Sequence, residues 1–190
     1  MTNLPFLKHL AMEKLVLKLI AVLSFFCFVS CSEIDKLTQF NLTYNSSFTI
    51  PSSSLVDLPI SLTTPDVETN SESKFESNNT KKDLIEEITL SKCALKIESP
   101  VEGDFGFLKS VFIYIKADGL NEVLIASKDD VPAEIGNILE LETTNENLKE
   151  YIKKDSYSLK VKTTTDETIK SDHEIDIESV FYVDAKILGI

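Results

Sequence analysis

The chain has 190 residues and is acidic, with 31 aspartate and glutamate residues against 19 basic residues. All of the basic residues are lysines, so the arginine side chains that usually clamp phosphate groups are absent. An acidic surface without arginine repels nucleic-acid phosphates and anionic lipid headgroups, which argues against nucleic-acid binding. The length and a hydrophobic content of 43% predict one globular domain with a sizeable core.

The N-terminal segment is the first predicted element in chain order. Residues 15–30 read LVLKLIAVLSFFCFVS, an apolar run of about a dozen strongly hydrophobic positions. This run is shorter than the roughly 20 residues that a membrane-spanning helix needs. Its strongly apolar part, Leu19 to Val29, matches the hydrophobic region of a secretory signal helix over residues 1–30, with Lys14 and Lys18 as the preceding positive region. A signal of ordinary proportions also begins at Met12, which leaves the true start open.

The apolar run ends in FVSC, residues 28–31, which resembles the lipobox of bacterial lipoproteins. The usual form is Leu, a small or branched residue, Gly/Ala/Ser and then Cys, and Phe28 departs from the preferred leucine. In that family the cysteine is diacylated, the signal is cleaved before it, and the new N-terminus is acylated. The resemblance implies removal of residues 1–30, lipid attachment at Cys31 and a lipidated tether over residues 31–37. An ordinary cleaved signal with a chance cysteine and a transmembrane anchor are the alternatives.

The residues after the cysteine bear on localisation. Ser32 stands where, in the best-studied sorting system, an aspartate would favour retention in the inner membrane, so the outer membrane is favoured. SEID, residues 32–35, resembles the short acidic export signals of Bacteroidota lipoproteins, which send them to the cell surface. We therefore expect a lipid-anchored protein of the outer membrane, on either the periplasmic face or the cell surface.

Alternating apolar and polar residues dominate the rest of the chain and predict short, half-buried strands. Residues 40–50 predict one long strand, or two strands joined at Ser46, and Pro59 marks the following run as an edge strand. GLN, residues 119–121, predicts a tight turn. The residues predicted to face the core are Phe40, Leu42, Tyr44, Phe48, Ile50, Val56, Leu58, Ile60, Leu62, Cys93, Leu95, Ile97, Val111, Ile113, Ile115, Ala117, Tyr157, Leu159, Val161, Thr163, Ile175, Ile177, Ser179, Phe181, Val183, Ala185 and Ile187.

One predicted helix interrupts the strands. Residues 144–154, TNENLKEYIKK, follow a capping box at Thr143 and Glu146 and carry one apolar face: Leu148, Tyr151 and Ile152. Residues 79–88 predict a second, short helical turn, and residues 64–79 predict a long loop or a ragged edge strand.

These elements together predict a mainly β fold. Seven to eight short strands with one crossover helix, and no strand–helix alternation, favour a single antiparallel β-sandwich of Ig-like architecture over residues 38–190. A closed barrel is the alternative. No second domain and no internal repeat is predicted.

Residues suited to catalysis are few. His173 is the single histidine after Cys31 and is interpreted as a solvated loop residue. Cys93 lies in a predicted strand, which indicates a buried thiol rather than a nucleophile. No usual zinc site, phosphate-binding loop or nucleophile motif occurs, so we expect neither an enzyme nor a cofactor or metal. The acidic pairs Asp129/Asp130 and Asp172/Asp176 leave calcium binding open.

Five aromatic residues form a candidate partner surface. Three point away from the core faces of their predicted strands, and two lie in the loop DFGFL, residues 104–108. Exposed together, they would form an apolar patch of the kind that marks a partner surface. Burial of both faces of a central strand is the alternative. The five residues are Phe105, Phe107, Phe112, Tyr114 and Tyr182.

From about Phe40 to Ile190 the chain resembles, in general style, small sandwich lipoproteins of unassigned function that are common in Bacteroidota. The resemblance implies a non-enzymatic outer-membrane lipoprotein that acts as a binding or accessory module of an envelope complex. Its partners would be the membrane, through the lipid, and an envelope protein. A surface-exposed adhesin or glycan-binding module is the second hypothesis, and a carboxylate-based hydrolase is the third.

Overall fold

The computed structural model describes residues 38–186. Two short helices lie between strands of this part of the chain, α1 (Ser71–Ser77) and α2 (Lys149–Ile152). Turns of 3-10 helix at Lys82–Leu84 and Phe105–Phe107 lead into two of the strands. The strands are β1 (Gln39–Ile50), β2 (Ile60–Thr63), β3 (Val67–Glu68), β4 (Ile85–Ser99), β5 (Leu108–Lys116), β6 (Val123–Asp129), β7 (Ile138–Thr143), β8 (Ser156–Thr165) and β9 (His173–Ala185).

The strands form one continuous antiparallel sheet in the order β1-β9-β4-β7-β6-β5-β8-β2, with β3 paired to β8. The sheet folds over on itself at β7, because residues 138–141 pair with β4 and residues 142–143 pair with β6. The two layers are therefore β1-β9-β4-β7 and β6-β5-β8-β2. Within the described residues no ladder joins β1 to β2, so the fold is the predicted β-sandwich, made from a curled sheet, and not a closed barrel.

The predicted period-two faces are confirmed in the long strands. Every second residue of β9 from Ile175 to Ala185 is buried, and β1 is one unbroken strand rather than two. Three aromatic rings meet edge to face in the core, and their centroids lie 5.8 Å (Tyr44 to Tyr157), 5.8 Å (Tyr44 to Phe181) and 6.1 Å (Tyr157 to Phe181) apart. Burial raises the pKa of both tyrosines. The Tyr44 hydroxyl donates a hydrogen bond to the Thr69 carbonyl oxygen, just before α1, at 2.8 Å.

The predicted helix over residues 144–154 is shorter in the structure, where α2 covers four residues. The segment before α2 is held against β4 instead, because the Leu148 amide donates to the Ile88 carbonyl at 2.7 Å. Asn147, rather than the predicted capping box, accepts a hydrogen bond from the Lys149 amide at 3.1 Å. The apolar face was predicted correctly, since Leu148, Tyr151 and Ile152 are buried.

The segment between β2 and β4 also differs from its prediction. Residues 64–79 contain the short strand β3, in keeping with the ragged edge strand that was the second alternative, and also α1, which was not predicted. Phe75 of α1 is fully buried, and its ring lies 6.3 Å from that of Phe40. In residues 79–88 only Lys82–Leu84 form a helical turn, and β4 begins directly after it. The edge position of β2, just after Pro59, is as predicted, because β2 pairs with β8 on one side.

The predicted signal segment, the lipidated tether with Cys31, and Ile187 lie outside the described residues. Between residues 38 and 186, no helix combines the length and the apolar character needed to cross a bilayer.

The Cys93 thiol gives a direct test of the core. Its side chain is 1% exposed, and burial raises its pKa to about 12. At pH 8 only about one thiol in ten thousand would be ionised. We expect a thiol reagent such as Ellman's reagent to leave Cys93 unmodified for hours in the native protein and to modify it fully in urea. A variant with Cys27 and Cys31 replaced by serine isolates this thiol, and rapid native labelling would contradict the fold around β4.

Candidate functional site

Four connections meet at one end of the sandwich. Ile50 at the end of β1 pairs with His173 at the start of β9, and Ser110 in β5 pairs with Asp129 at the end of β6. These registers bring together the connections 51–59, 100–107, 130–137 and 166–172, which we call the loop end. Gln39, where the chain enters β1, lies at the opposite end, because it pairs with Asp184 near the end of β9.

Exposed apolar side chains concentrate at the loop end. Within residues 38–186 the large hydrophobic side chains that are exposed all belong to its connections or to the first residue of β7. Their exposed fractions are high for apolar groups, and all five lie at the same end of the sandwich. We call them the apolar tip: Leu55 (64%), Val56 (37%), Leu58 (52%), Val101 (84%) and Ile138 (53%).

Two members of the apolar tip correct the sequence analysis. Val56 and Leu58 were predicted to face the core from a strand, but the strand begins only at Ile60. Asp57 between them has a φ of 58°, which breaks the extended backbone that a strand requires. The alternation of apolar and polar residues is therefore accidental here. Pro51 and Pro59, which bracket this run, are the signal that it is a loop.

Asp57 fixes the conformation of the connection that carries most of the apolar tip. Its amide donates to the Thr165 carbonyl at 2.7 Å, and its carboxylate accepts from Lys109 Nζ at 3.0 Å. Aspartate tolerates the left-handed conformation better than most residues because its short side chain bonds locally. The apolar side chains on either side are thus held outward by polar contacts of the residue between them.

A second contact joins the first connection to the last. Asp172 accepts hydrogen bonds at one carboxylate oxygen from both the amide (2.8 Å) and the hydroxyl (2.9 Å) of Ser52. These bonds favour the ionised carboxylate and lower the pKa of Asp172. The Asp172 carboxylate therefore holds the connections 51–59 and 166–172 together.

The loop DFGF, residues 104–107, is anchored by its aromatic rings. Phe105 is 0% and Phe107 is 6% exposed, so both pack in the core and neither belongs to a partner surface. The Phe105 amide donates to the Gly136 carbonyl at 2.8 Å, which ties two connections together. Gly106 is required here, because a Cβ would lie 2.5 Å from the carbonyl oxygen of Ala133. The predicted loop lies at the loop end, but its phenylalanines position it rather than contact a ligand.

His173 is also placed differently from its prediction. It is 7% exposed rather than solvated, and its ring centroid lies 4.6 Å from that of Phe107. Its Nδ1 lies 3.0 Å from the Ser171 carbonyl oxygen. The reason is that His173 is the first inward-facing residue of β9, one strand period before Ile175. His173 therefore packs in the core below the loop end, against the ring of Phe107.

The loop end is strongly acidic. Its four connections contain eight carboxylate residues and one lysine, Lys170. Three carboxylates from different connections, those of Asp57, Asp130 and Asp166, all raise the pKa of Lys109, the nearby lysine of β5. The acidic residues, all exposed, are Asp57, Glu102, Asp104, Asp130, Glu134, Asp166, Glu167 and Asp172.

The other three predicted partner residues do not all lie on one surface. Phe112 and Tyr114 lie half-buried on the outer face of β5, beside Lys162 and Lys160 of β8, and Lys162 Nζ lies 4.7 Å from the centroid of the Tyr114 ring. Tyr182 is half-buried on β9, in the other layer of the sandwich. The five aromatic residues are thus divided among the core and the two outer faces.

A polar groove of about 710 Å³ lies at the opposite end, around α1. It is rich in carboxylates and hydroxyls and contains no aromatic ring. Among its residues, Asn70 has a φ of 46° and Thr69 donates from Oγ1 to the Lys154 carbonyl at 2.5 Å. Across the part of the chain that the structure describes, no three His, Cys, Asp or Glu residues are grouped to hold a metal ion. The groove is lined by Glu68, Thr69, Asn70, Ser71, Glu72, Ser73, Glu76, Lys82 and Asp155.

Comparison with known proteins gives only distant structural likenesses. No protein-family model and no curated protein matches the chain. Solved structures that resemble it include CpGH89CBM32-5, a carbohydrate-binding module from Clostridium perfringens in complex with GalNAc-β-1,3-galactose (TM-score 0.33, 10% identity, 76% of this chain and 97% of that chain). CBM32-3 from a family 31 glycoside hydrolase of the same organism has a TM-score of 0.30 and 12% identity, over 74% of this chain and 75% of that chain. A structure of infectious bursal disease virus, Gx strain, has a TM-score of 0.36 and 11% identity, over 77% of this chain and 32% of that chain. At these scores the likenesses carry no argument.

Proposed function

We propose that this protein is a lipid-anchored, non-enzymatic binding module of the bacterial outer membrane, and that its loop end binds an envelope protein. The observation that carries the proposal is the gathering of the exposed large hydrophobic side chains of residues 38–186 at this one end. Contacts such as those of Asp57 and Asp172 order the end without covering these side chains. A preordered apolar surface loses little conformational entropy on binding, which favours affinity.

The position of the tether supports the same use of the loop end. Seven residues lie between Cys31, the proposed lipid attachment site, and Gln39, where the chain enters β1. β1 then runs the length of the sandwich, about 35–40 Å for its twelve residues, to the loop end. The chain therefore enters the domain at the end opposite the apolar tip, so a lipid at Cys31 would leave the tip free to contact a partner.

Site-directed photocrosslinking tests the proposal. Leu58→Cys introduces a reactive thiol in the apolar tip while Cys93 stays buried. The full-chain protein with Cys27 and Cys31 replaced by serine, which leaves position 58 as its accessible thiol, would be labelled with benzophenone maleimide, returned to detergent-solubilised envelopes of the host lacking this protein, and irradiated. We expect one discrete protein adduct from position 58 and none from the matched control Asp118→Cys, an exposed position in the turn at the opposite end. Equal adducts from both positions, or none from position 58, would refute the proposal.

Glycan binding is the second candidate function, and the polar groove around α1 is the observation that favours it. Carboxylates, an amide and hydroxyls are the groups that hydrogen-bond sugar hydroxyls, and they line about 710 Å³ here. Retardation of the protein in gels that contain a neutral polysaccharide, abolished by Glu72→Gln, would favour this function. Unchanged mobility across a panel of polysaccharides would remove it.

A further inference from the structure

The apolar tip is surrounded by negative charge. The four connections that carry it contain eight carboxylate residues against Lys170 alone. Three of these carboxylates take part in the contacts that order the loops, those of Asp57, Asp104 and Asp172. The remaining five are exposed, and the hydrogen bonds that order the loop end do not involve them. Their charges are therefore available to act on a molecule that approaches the apolar tip.

From this arrangement we infer that the partner is a basic protein, with an apolar cleft that receives the apolar tip and a border of lysine or arginine that faces the carboxylates. The inference rests on the proposed function and adds the chemistry of the partner. Complementary charge around an apolar contact steers association and selects among partners. An anionic bilayer and a second copy of this loop end would both place like charges together, so neither fits the surface.

The test uses the crosslinking protein Leu58→Cys with the outer carboxylates neutralised. Glu134→Gln with Glu167→Gln keeps the size of both side chains and removes two charges at the loop end. We expect this pair to reduce the adduct yield about fivefold or more, because steering falls with the charge product. The matched pair Glu87→Gln with Glu146→Gln, on exposed residues at the opposite end and outside the polar groove, should leave the yield unchanged.

Two further readouts complete the test. Raising the ionic strength from about 0.05 to 0.5 M shortens the screening length to a few ångströms, so the yield from Leu58→Cys should fall steeply. Sequencing of the crosslinked peptide should find lysine or arginine flanking apolar residues. If the adduct yield changes neither with salt nor in the Glu134→Gln, Glu167→Gln variant, the inference is overturned and the proposed function still stands. Loss of every position-specific adduct overturns both.

Discussion

Replacement of Phe181 by alanine is expected to lower the free energy of unfolding by about 3–5 kcal/mol, the usual cost of emptying a buried aromatic site. Phe181 is 0% exposed and contacts the rings of both Tyr44 and Tyr157 edge to face. The substitution removes these contacts, each worth about 0.5–1.5 kcal/mol beyond burial, and leaves a cavity between the two layers. Because Tyr44 also ties β1 to the segment before α1, the loss extends to the edge of the sheet.

Equilibrium unfolding in urea measures this effect. The chain has no tryptophan and five tyrosines, so tyrosine fluorescence and near-ultraviolet circular dichroism are the suitable probes. Tyr182→Ala is the matched control, since it removes the next aromatic residue of β9 from the half-buried outer face. We expect the control to cost about 1 kcal/mol or less. Similar losses for both variants would mean that the inward and outward faces of β9 have been assigned incorrectly.

Replacement of Cys31 by serine is expected to abolish lipid attachment. If Cys31 carries the lipid, its thiol forms a thioether bond to diacylglycerol. Serine has no thiol, so the bond cannot form and the signal should remain uncleaved. Stable anchoring requires more than one acyl chain, because a single chain binds a bilayer only marginally. We expect the native protein to partition into detergent with an acylated Cys31 as its first residue, and the variant to accumulate as a precursor that begins at Met1 or Met12.

Intact-mass spectrometry of the protein from its native host distinguishes these forms. Cys27→Ser is the control, because Cys27 lies in the segment that the signal peptidase would remove. That variant should yield the same acylated mature protein as the unaltered chain. A mature protein with an unmodified N-terminus at another residue would show that FVSC occurs by chance, and the tether would then play no part in its function.

The fold was largely predictable because side-chain direction in a strand follows a period of two. The buried faces of β1, β5, β8 and β9, and of β4 from Cys93 to Ile97, could be read from alternating residues, whereas the irregular start of β4 could not. β7 was missed, although Leu139 and Leu141 alternate with Glu140 and Glu142, because its six residues follow a loop of mixed character. α1 was missed because serine, glutamate and lysine dominate its residues, and the burial of Phe75 depends on a distant strand.

The candidate site was less predictable, since exposure of a loop residue depends on contacts that join distant segments. Phe105 and Phe107 were assigned to a surface because their loop is polar, whereas the core accepts both rings. Leu58 was assigned to the core, whereas the two contacts of Asp57 turn its segment outward. Neither outcome follows from local composition, because each is decided by a partner about 30 residues away or more in the chain.

The pairing of β1 bears on how the domain responds to tension. A pull between the tether and a partner at the loop end would act along the axis of β1. β1 pairs with β9 over twelve consecutive residues, from Gln39 with Asp184 to Ile50 with His173. Force along the strand loads all of these pairs at once in shear, whereas force across the sheet would open them one after another. The chain thus enters the domain through a strand whose pairs share a load along its axis, and the domain should stay folded under a pull between the proposed tether and the proposed partner.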